Sequence, residues 1–256
     1  MAPQLDYDAV LLDIEGTTTP ISFVHDVLFP YVLDNAQKFL ETRWASDELQ
    51  PYLEGLKIQA DLDREQGLAQ TPSIPDLKSD SVSKEDKIEA IIANIRFQVS
   101  IDRKIKALKD FQGYMWNVGY ADGELKSIMY DDVIDAMQRW KELGKPVYIY
   151  SSGSIAAQKL LFRYTNKGDL TPGLQGYYDT TSGSKLSPES YAAITTDMGF
   201  APSRVLFVTD NPKEVQAARS AGLQTAASVR PGNPALPAEM TDDPQQLIIQ
   251  SFASLF

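Results

Sequence analysis

The chain has 256 residues, 43% of them hydrophobic and 23% charged, with 24 basic against 35 acidic side chains and a formal net charge of -11. That length suggests one large domain, or a domain carrying an insertion, with enough chain to bury a core. The acidic balance argues against a nucleic-acid partner and against adhesion to anionic lipid, and the absence of cysteine excludes disulfides, thiolate catalysis and Cys-type zinc sites.

A cysteine-free chain fits a reducing compartment, the cytoplasm. Residues 1–8 are polar and acidic and read as neither a signal nor a transit peptide. No apolar run is long enough to span a bilayer. The single histidine, His25, reads as a surface or cap-packing residue and rules out any scheme that needs two.

In chain order, the first element is the apolar run Val10-Leu11-Leu12-Asp13-Ile14, which predicts a strand buried on both faces over residues 10–14. Glu15, Gly16 and three threonines follow it. An unpaired carboxylate inside such a strand would be very costly. Asp13 and Glu15 are therefore expected at the strand's exit, the edge of an open α/β sheet where ligands bind. The plainer alternative is a pair of carboxylates capping a turn.

Residues 21–123 are helical in pattern and lack convincing strands. Ile88, Ile91, Ile92, Ile95 and Val99 form one stripe, and the polar, proline-bearing stretch 66–84 reads as a flexible loop. The aromatic cluster Phe111, Tyr114, Met115 and Trp116 reads as core. This segment is too long for a simple crossover and predicts an inserted helical domain.

Strands and helices then alternate. Asp131 or Asp132 caps a helix with the stripe Val133, Met137, Trp140 and Leu143, stopped by Gly144. Further strands are expected at 147–150, 205–209 and, more weakly, 225–229. Ser154, Ser187 with Pro188, and Asn211 with Pro212 mark helix starts, and Glu214 falls where it would complete a capping box with Asn211. This alternation predicts a doubly wound parallel sheet. The expected division is an α/β core from residues 1–19 and 131–256 with a helical cap from residues 20–130.

Parallel strands would bring Asp13, Glu15, Ser151, Ser152 and Asp210 to one edge, with Lys185 in a loop able to reach it. Three carboxylates favour a hard cation such as Mg²⁺. Hydroxyls, a lysine and helix N-termini favour a phosphate. Together they describe a phosphoryl-transfer site. Singly, each has a plain reading: Ser151, Ser152 and Ser154 as helix caps, Lys185 as a solvated loop lysine.

Asp13-Ile14-Glu15-Gly16-Thr17 resembles the D-x-D-x-T nucleophile motif of the haloacid dehalogenase superfamily. Ser151 resembles its strand-end hydroxyl, Lys185 with Pro188 its lysine motif, and Thr209-Asp210 with Glu214 its acidic motif, all in the family's order and with a helical cap between the first two. Leu12 to Ile21, Leu108-Lys109 with Gln112-Gly113 and Trp116, Val147 to Ser154, Gln158 to Phe162, and Val229-Arg230-Pro231-Gly232-Asn233 resemble the enolase-phosphatase (acireductone synthase) family of methionine salvage over nearly the whole chain. Two departures from the superfamily pattern stand out. Glu15 replaces an aspartate, moving its carboxyl by about 1.5 Å, and enolase-phosphatases share that glutamate. Thr209 and Glu214 replace the commoner glycine and aspartate.

The resemblance implies an aspartyl-phosphate mechanism. Asp13 would attack phosphorus, and Glu15 would protonate the leaving oxygen and later activate water. Asp13, Glu15 and Asp210 would hold one Mg²⁺ per subunit, the first two partly through backbone or water. Ser151, Ser152 and Lys185 would bind phosphate. The implied substrate is a small molecule, 2,3-diketo-5-methylthiopentyl 1-phosphate, enolised and then dephosphorylated to acireductone. Cap closure would exclude water, the cap would supply an apolar wall for the thioether, and the protein would be a monomer. Competing readings are a phosphatase of the same superfamily acting on another small phosphometabolite, a metal-free dehalogenase using Asp13, and a receiver-type regulatory module.

Overall fold

The computed structural model describes residues 5–256. The chain forms two compact units: the described residues up to Val24 with Leu125–Phe256, and His25–Glu124.

The first unit is built on a six-stranded parallel sheet. Its strands are β1 (Ala9–Leu12), β2 (Val147–Tyr150), β3 (Gly176–Tyr178), β4 (Val205–Thr209), β5 (Gln224–Ser228) and β6 (Leu247–Ile249), in the order β3-β2-β1-β4-β5-β6. Every residue of β1, β2 and β4 is buried, which is why these segments read as unbroken apolar runs. The chain winds outwards from β1 through β2 and β3, then returns to β1's other side with β4. That reversal makes the sheet doubly wound and opens a crevice at the C-terminal end of β1. β3 and β6 are additional to the four strands expected from sequence. Each has three residues and lies at a sheet edge, too short to show a period. β1 stops at Leu12, so Asp13 lies just past the strand. Ile14 then anchors the turn, its carbonyl accepting the amides of Thr17, Thr18 and Thr19.

On one face of the sheet Leu11, Tyr150 and Phe207 pack with Tyr191 and Ile194 of the helix Pro188–Met198 and with Ala218 of the helix Pro212–Ser220. Elsewhere in the unit the helix Asp131–Glu142 buries Trp140 completely, its ring 6.0 Å from that of Phe252 and its Nε1 donating to the Tyr7 hydroxyl at 2.9 Å. Each fully buried large apolar side chain contributes about 1.5–3 kcal/mol. Leu143, expected on the same stripe, is instead 55% exposed at the helix end.

Tyr130 occupies the N-cap of that helix, and neither Asp131 nor Asp132 caps it. Asp132 accepts hydrogen bonds from Arg230 Nη1 (2.8 Å) and the Phe252 amide (2.7 Å). Burial alone would raise its carboxyl, but these donors outweigh burial and hold it below the usual range. A carboxyl depressed on folding gives stability that is complete above its unfolded value, about 3.9, and lost as the pH falls through its folded value. Urea unfolding between about pH 6 and about pH 3 should show the wild type losing more stability in acid than Asp132→Asn. Equal acid slopes would mean the pair is not coupled to folding.

The second unit holds four long helices, Phe29–Arg43, Gln50–Glu65, Lys84–Ser100 and Lys106–Ala121, and no strand among the described residues. Ile88, Ile91, Ile92 and Ile95 are buried against Leu40, Leu53, Phe111 and Met115, and Trp116 and Val99 are partly buried beside them. Of the stretch 66–84, expected as a flexible loop, residues 66–83 lack helix and strand but are pinned. Arg64 Nη1 donates to the Thr71 carbonyl, Asn94 Nδ2 to the Pro72 carbonyl, and Lys87 Nζ to the Leu77 and Ser79 carbonyls. These side chains satisfy backbone groups that no ladder takes up. Ser83 caps the helix that follows, accepting the Asp86 amide at 3.1 Å. His25 is exposed, 2.7 Å from Asp26.

Candidate active site

The sheet register places the site. Leu12 pairs with Ile149 on one side and Val208 on the other, so Asp13 leaves the sheet level with Tyr150 and Thr209. The Asp13 amide donates to the Val208 carbonyl (2.9 Å) and the Ser151 amide to the Tyr178 carbonyl (3.2 Å). Lys185 arrives from the loop beyond β3. Two buried tyrosines hold that loop: Tyr150 Oη donates to the Gly183 carbonyl (3.0 Å) and Tyr191 Oη to the Lys185 carbonyl (2.7 Å). Asp13, Glu15, Ser151, Ser152, Lys185 and Asp210 thereby line one cavity of about 400 Å³ within the α/β unit. Ser154 lies apart as a helix cap, accepting the Ala157 amide at 3.3 Å.

At the centre, Lys185 Nζ lies 2.6 Å from Asp13 Oδ1 and 2.7 Å from Glu214 Oε2, all three side chains buried. Burial by itself would lower the lysine, but the two carboxylates outweigh it and hold it above its ordinary value. Thr209 Oγ1 lies 2.8 Å from Glu214 Oε2 and 3.2 Å from Asp13 Oδ2. Each Asp13 oxygen thus has a polar neighbour, which fixes the plane of the carboxylate. Glu214 does not complete a capping box. The Asn211 amide goes to Thr209 Oγ1 (3.2 Å), and Glu214 turns inward to Lys185 because a buried ammonium needs more than one anionic partner. The Asp210 carboxyl is pushed up to about 7, first by burial and then by the charges of Asp13 and Glu214, with Lys185 opposing. Glu214 is raised too, by burial and Asp13.

Gly16 is required where it stands. Its φ is +67°, and a Cβ there would lie 2.4 Å from Asp210 Oδ2. Only glycine takes that backbone without strain and leaves room for the carboxylate.

The haloacid dehalogenase-like hydrolase family matches residues 7–222. An enolase-phosphatase E1 of Xenopus tropicalis is 48% identical over 227 residues, covering 89% of this chain and 86% of that protein. The chain belongs to the haloacid dehalogenase-like hydrolases, in their enolase-phosphatase family. A probable bifunctional methylthioribulose-1-phosphate dehydratase/enolase-phosphatase of Vitis vinifera is 47% identical over 229 residues. The match covers 89% of this chain but only 44% of that longer protein. Among solved structures, the UTR4 protein of Saccharomyces cerevisiae aligns with a TM-score of 0.75 at 34% identity, over 96% of this chain and 99% of that one.

For an enolase-phosphatase, the donor set suits a cation. The cavity lining carries four carboxylates, Asp13, Glu15, Asp210 and Glu214, against one ammonium, Lys185. Lys185 is committed to Asp13 and Glu214, and no ion pair among the described residues ends on Asp210. A hard cation beside Asp210 would relieve the penalty that pushes its carboxyl up. Among the described residues no three acidic or histidine side chains already converge as a complete donor set, so donors besides carboxylates would complete it.

Gln158 supports the serine loop from beneath. It is 2% exposed, and its Nε2 donates at 2.8 Å to the carbonyls of both Gly153 and Tyr178. Neither Gln158 nor Thr209 is assigned a role by sequence, because a single polar residue in an apolar helix or strand shows no period that marks it.

Proposed function

We propose that this chain converts 2,3-diketo-5-methylthiopentyl 1-phosphate to acireductone and phosphate, through an aspartyl-phosphate, in methionine salvage. The observation that carries the reading is the convergence of Asp13, Ser151, Lys185 and Asp210, from three strand ends and one loop, on a single cavity. A relative supports this choice of substrate. The dehydratase named for the Vitis vinifera relative acts on methylthioribulose 1-phosphate, and loss of water from that sugar phosphate leaves a diketone phosphate with a methylthio tail.

Once the diketone phosphate has enolised, a proton leaving C1 and a proton arriving on the C2 oxygen, Asp13 attacks phosphorus, its carboxylate plane fixed by Lys185 and Thr209. The bond from phosphorus to the enediol oxygen breaks, and Glu15 delivers a proton to that oxygen. Glu15 then takes a proton from water, whose oxygen attacks phosphorus and frees Asp13 and phosphate. Ser151 Oγ, the Ser152 amide and Lys185 bind the phosphoryl oxygens throughout. Lys185 thus has two tasks: it holds Asp13 in orientation, and it offsets charge on the phosphoryl group.

Mg²⁺ is the cation this site is proposed to take, one per subunit. Asp13 and Asp210 would hold it by their carboxylates, with Glu15 taking part through its backbone or a water. When bound, it supplies Lewis-acid stabilisation of charge on the phosphoryl and enolate oxygens. Dialysis against a chelator should silence phosphate release, and added Mg²⁺ should restore it; phosphate release that survives chelation would show that the site needs no metal.

The deciding assay supplies the diketone phosphate and follows acireductone absorbance together with inorganic phosphate. Both should appear in equal amounts. Phosphate without acireductone from this substrate, or no turnover at all, would move the chain to another phosphometabolite. No helix among the described residues is long and apolar enough to cross a membrane.

A further inference from the structure

The motif Arg230-Pro231-Gly232-Asn233 has no task in the mechanism above, yet it is one of the most firmly anchored segments of the α/β unit. Arg230 is 7% exposed. Its Nη1 donates to Asp132 Oδ2 (2.8 Å) and the Gln250 carbonyl (3.0 Å), and its guanidinium lies 4.3 Å from the centre of the Tyr130 ring. From this anchor the chain turns sharply. The Asn233 amide donates to the Arg230 carbonyl at 3.1 Å, with Pro231 second in the turn and Gly232 third at φ +88°. Proline followed by a glycine of positive φ is the type II arrangement.

The turn aims Asn233 at the catalytic loop. Its Nδ2 donates to the Gly16 carbonyl at 2.8 Å, one residue beyond Glu15. The next two residues, Pro234 and Ala235, then line the cavity, as do Ile21 and Pro212. The turn and Ile21 are neighbours, since a Cβ on Gly232 would lie 3.7 Å from Ile21 Cγ2. The cavity lining therefore has two chemistries. Carboxylates, hydroxyls and an amine serve the phosphoryl group, while four apolar residues have no part in phosphoryl transfer. A cavity of about 400 Å³ exceeds what a phosphoryl group alone would fill.

The geometry points to residues 230–235 as a specificity element supplied by the α/β unit itself. Pro234 and Ala235, with Ile21, receive the apolar tail of the phosphorylated substrate, and Asn233 is the positioning residue that pins this wall to the Gly16 carbonyl. The identity of the tail as a thioether rests on the function proposed above; the wall and its preference for an apolar chain do not. Proline at 234 removes one backbone freedom and so holds the wall ready before the substrate arrives.

Straight-chain alkyl phosphonates, methyl to hexyl, test this by calorimetric titration of the full chain with Mg²⁺ present. A fully covered methylene strengthens binding about fourfold, and one lying against a single wall about twofold. The wild type should therefore bind the hexyl compound at least tenfold tighter than the methyl compound. In Ile21→Asn and Ala235→Gln that ratio should collapse towards one. Asn233→Ala should lose the ratio as well, with its thermal midpoint measured alongside to separate positioning from unfolding. A ratio near one in the wild type, or a ratio that persists in both wall variants, overturns the proposal. Should the wild type show the ratio yet fail to turn over the diketone phosphate, the wall stands and only the thioether assignment falls.

Discussion

Replacing Asp13 with asparagine should abolish phosphate release while leaving the fold intact. The substitution keeps the shape of the side chain but removes the carboxylate nucleophile that Lys185 and Thr209 hold in place. In covalent catalysis, loss of the nucleophile costs roughly 10⁴-fold or more in rate. The fold should tolerate the change because Asp13 is a source of strain as well as chemistry. Its charge is among the causes that raise both Asp210 and Glu214, and a neutral amide relieves both while Lys185 keeps Glu214 as a partner at 2.7 Å. Single-turnover phosphate release and urea unfolding, measured on the same preparation, check the two halves. Undiminished turnover rejects Asp13 as nucleophile, and an unfolded variant rejects the electrostatic account of its surroundings.

The parts of this molecule legible in its sequence are those where burial leaves a pattern. β1, β2 and β4 lie in the middle of a parallel sheet, so every position is buried, all but Thr209 are apolar or aromatic, and their ends are marked by abrupt polar residues. Those ends are Asp13, Ser151 and Asp210, which is why most of the candidate site could be named before any coordinates. β3 and β6 left no such trace, because three-residue edge strands need neither length nor continuous apolarity. Glu214 shows a different limit. Asn211 and Glu214 have the spacing of a capping box, and nothing local reveals that Lys185, twenty-nine positions earlier in the numbering, will draw the glutamate inward. Asp132 is the same case, taken by Arg230, which follows β5, rather than by its own helix. Long-range ion pairs override local capping because a buried charge without a partner costs more than a lost cap. The apolar wall of residues 234 and 235 was invisible for the opposite reason: proline and alanine in a loop carry no chemical signature until a turn brings them to a cavity.

Lys185→Met should damage both catalysis and stability, and the stability loss should depend on pH in a direction the site dictates. Methionine fills similar space but leaves Asp13, Asp210 and Glu214 without their shared cation. Losing one preorganised charge at the phosphoryl group costs about 10²–10³-fold in kcat, and breaking a buried ion pair from one side costs about 3–5 kcal/mol. The pH dependence follows from which groups titrate. Lys185 is raised on folding, so its own contribution is complete below its unfolded value, about 10.5, and is lost only at more alkaline pH. The window from about pH 5 to about pH 8 therefore reports the carboxyls alone. Asp210 and Glu214 are raised above their unfolded values of about 3.9 and 4.3. The folded chain then binds more protons than the unfolded one, and stability falls as the pH rises towards and through about 7. Lys185 opposes both shifts, so its removal should widen them and steepen that fall. In chelator-treated protein, urea unfolding should show Lys185→Met below the wild type near pH 5 and further below it near pH 8. Adding Asp13→Asn should recover part of the loss, since one of the stranded charges is then gone. A variant that unfolds with the wild-type pH profile would show that Lys185 does not carry the charge balance of this site.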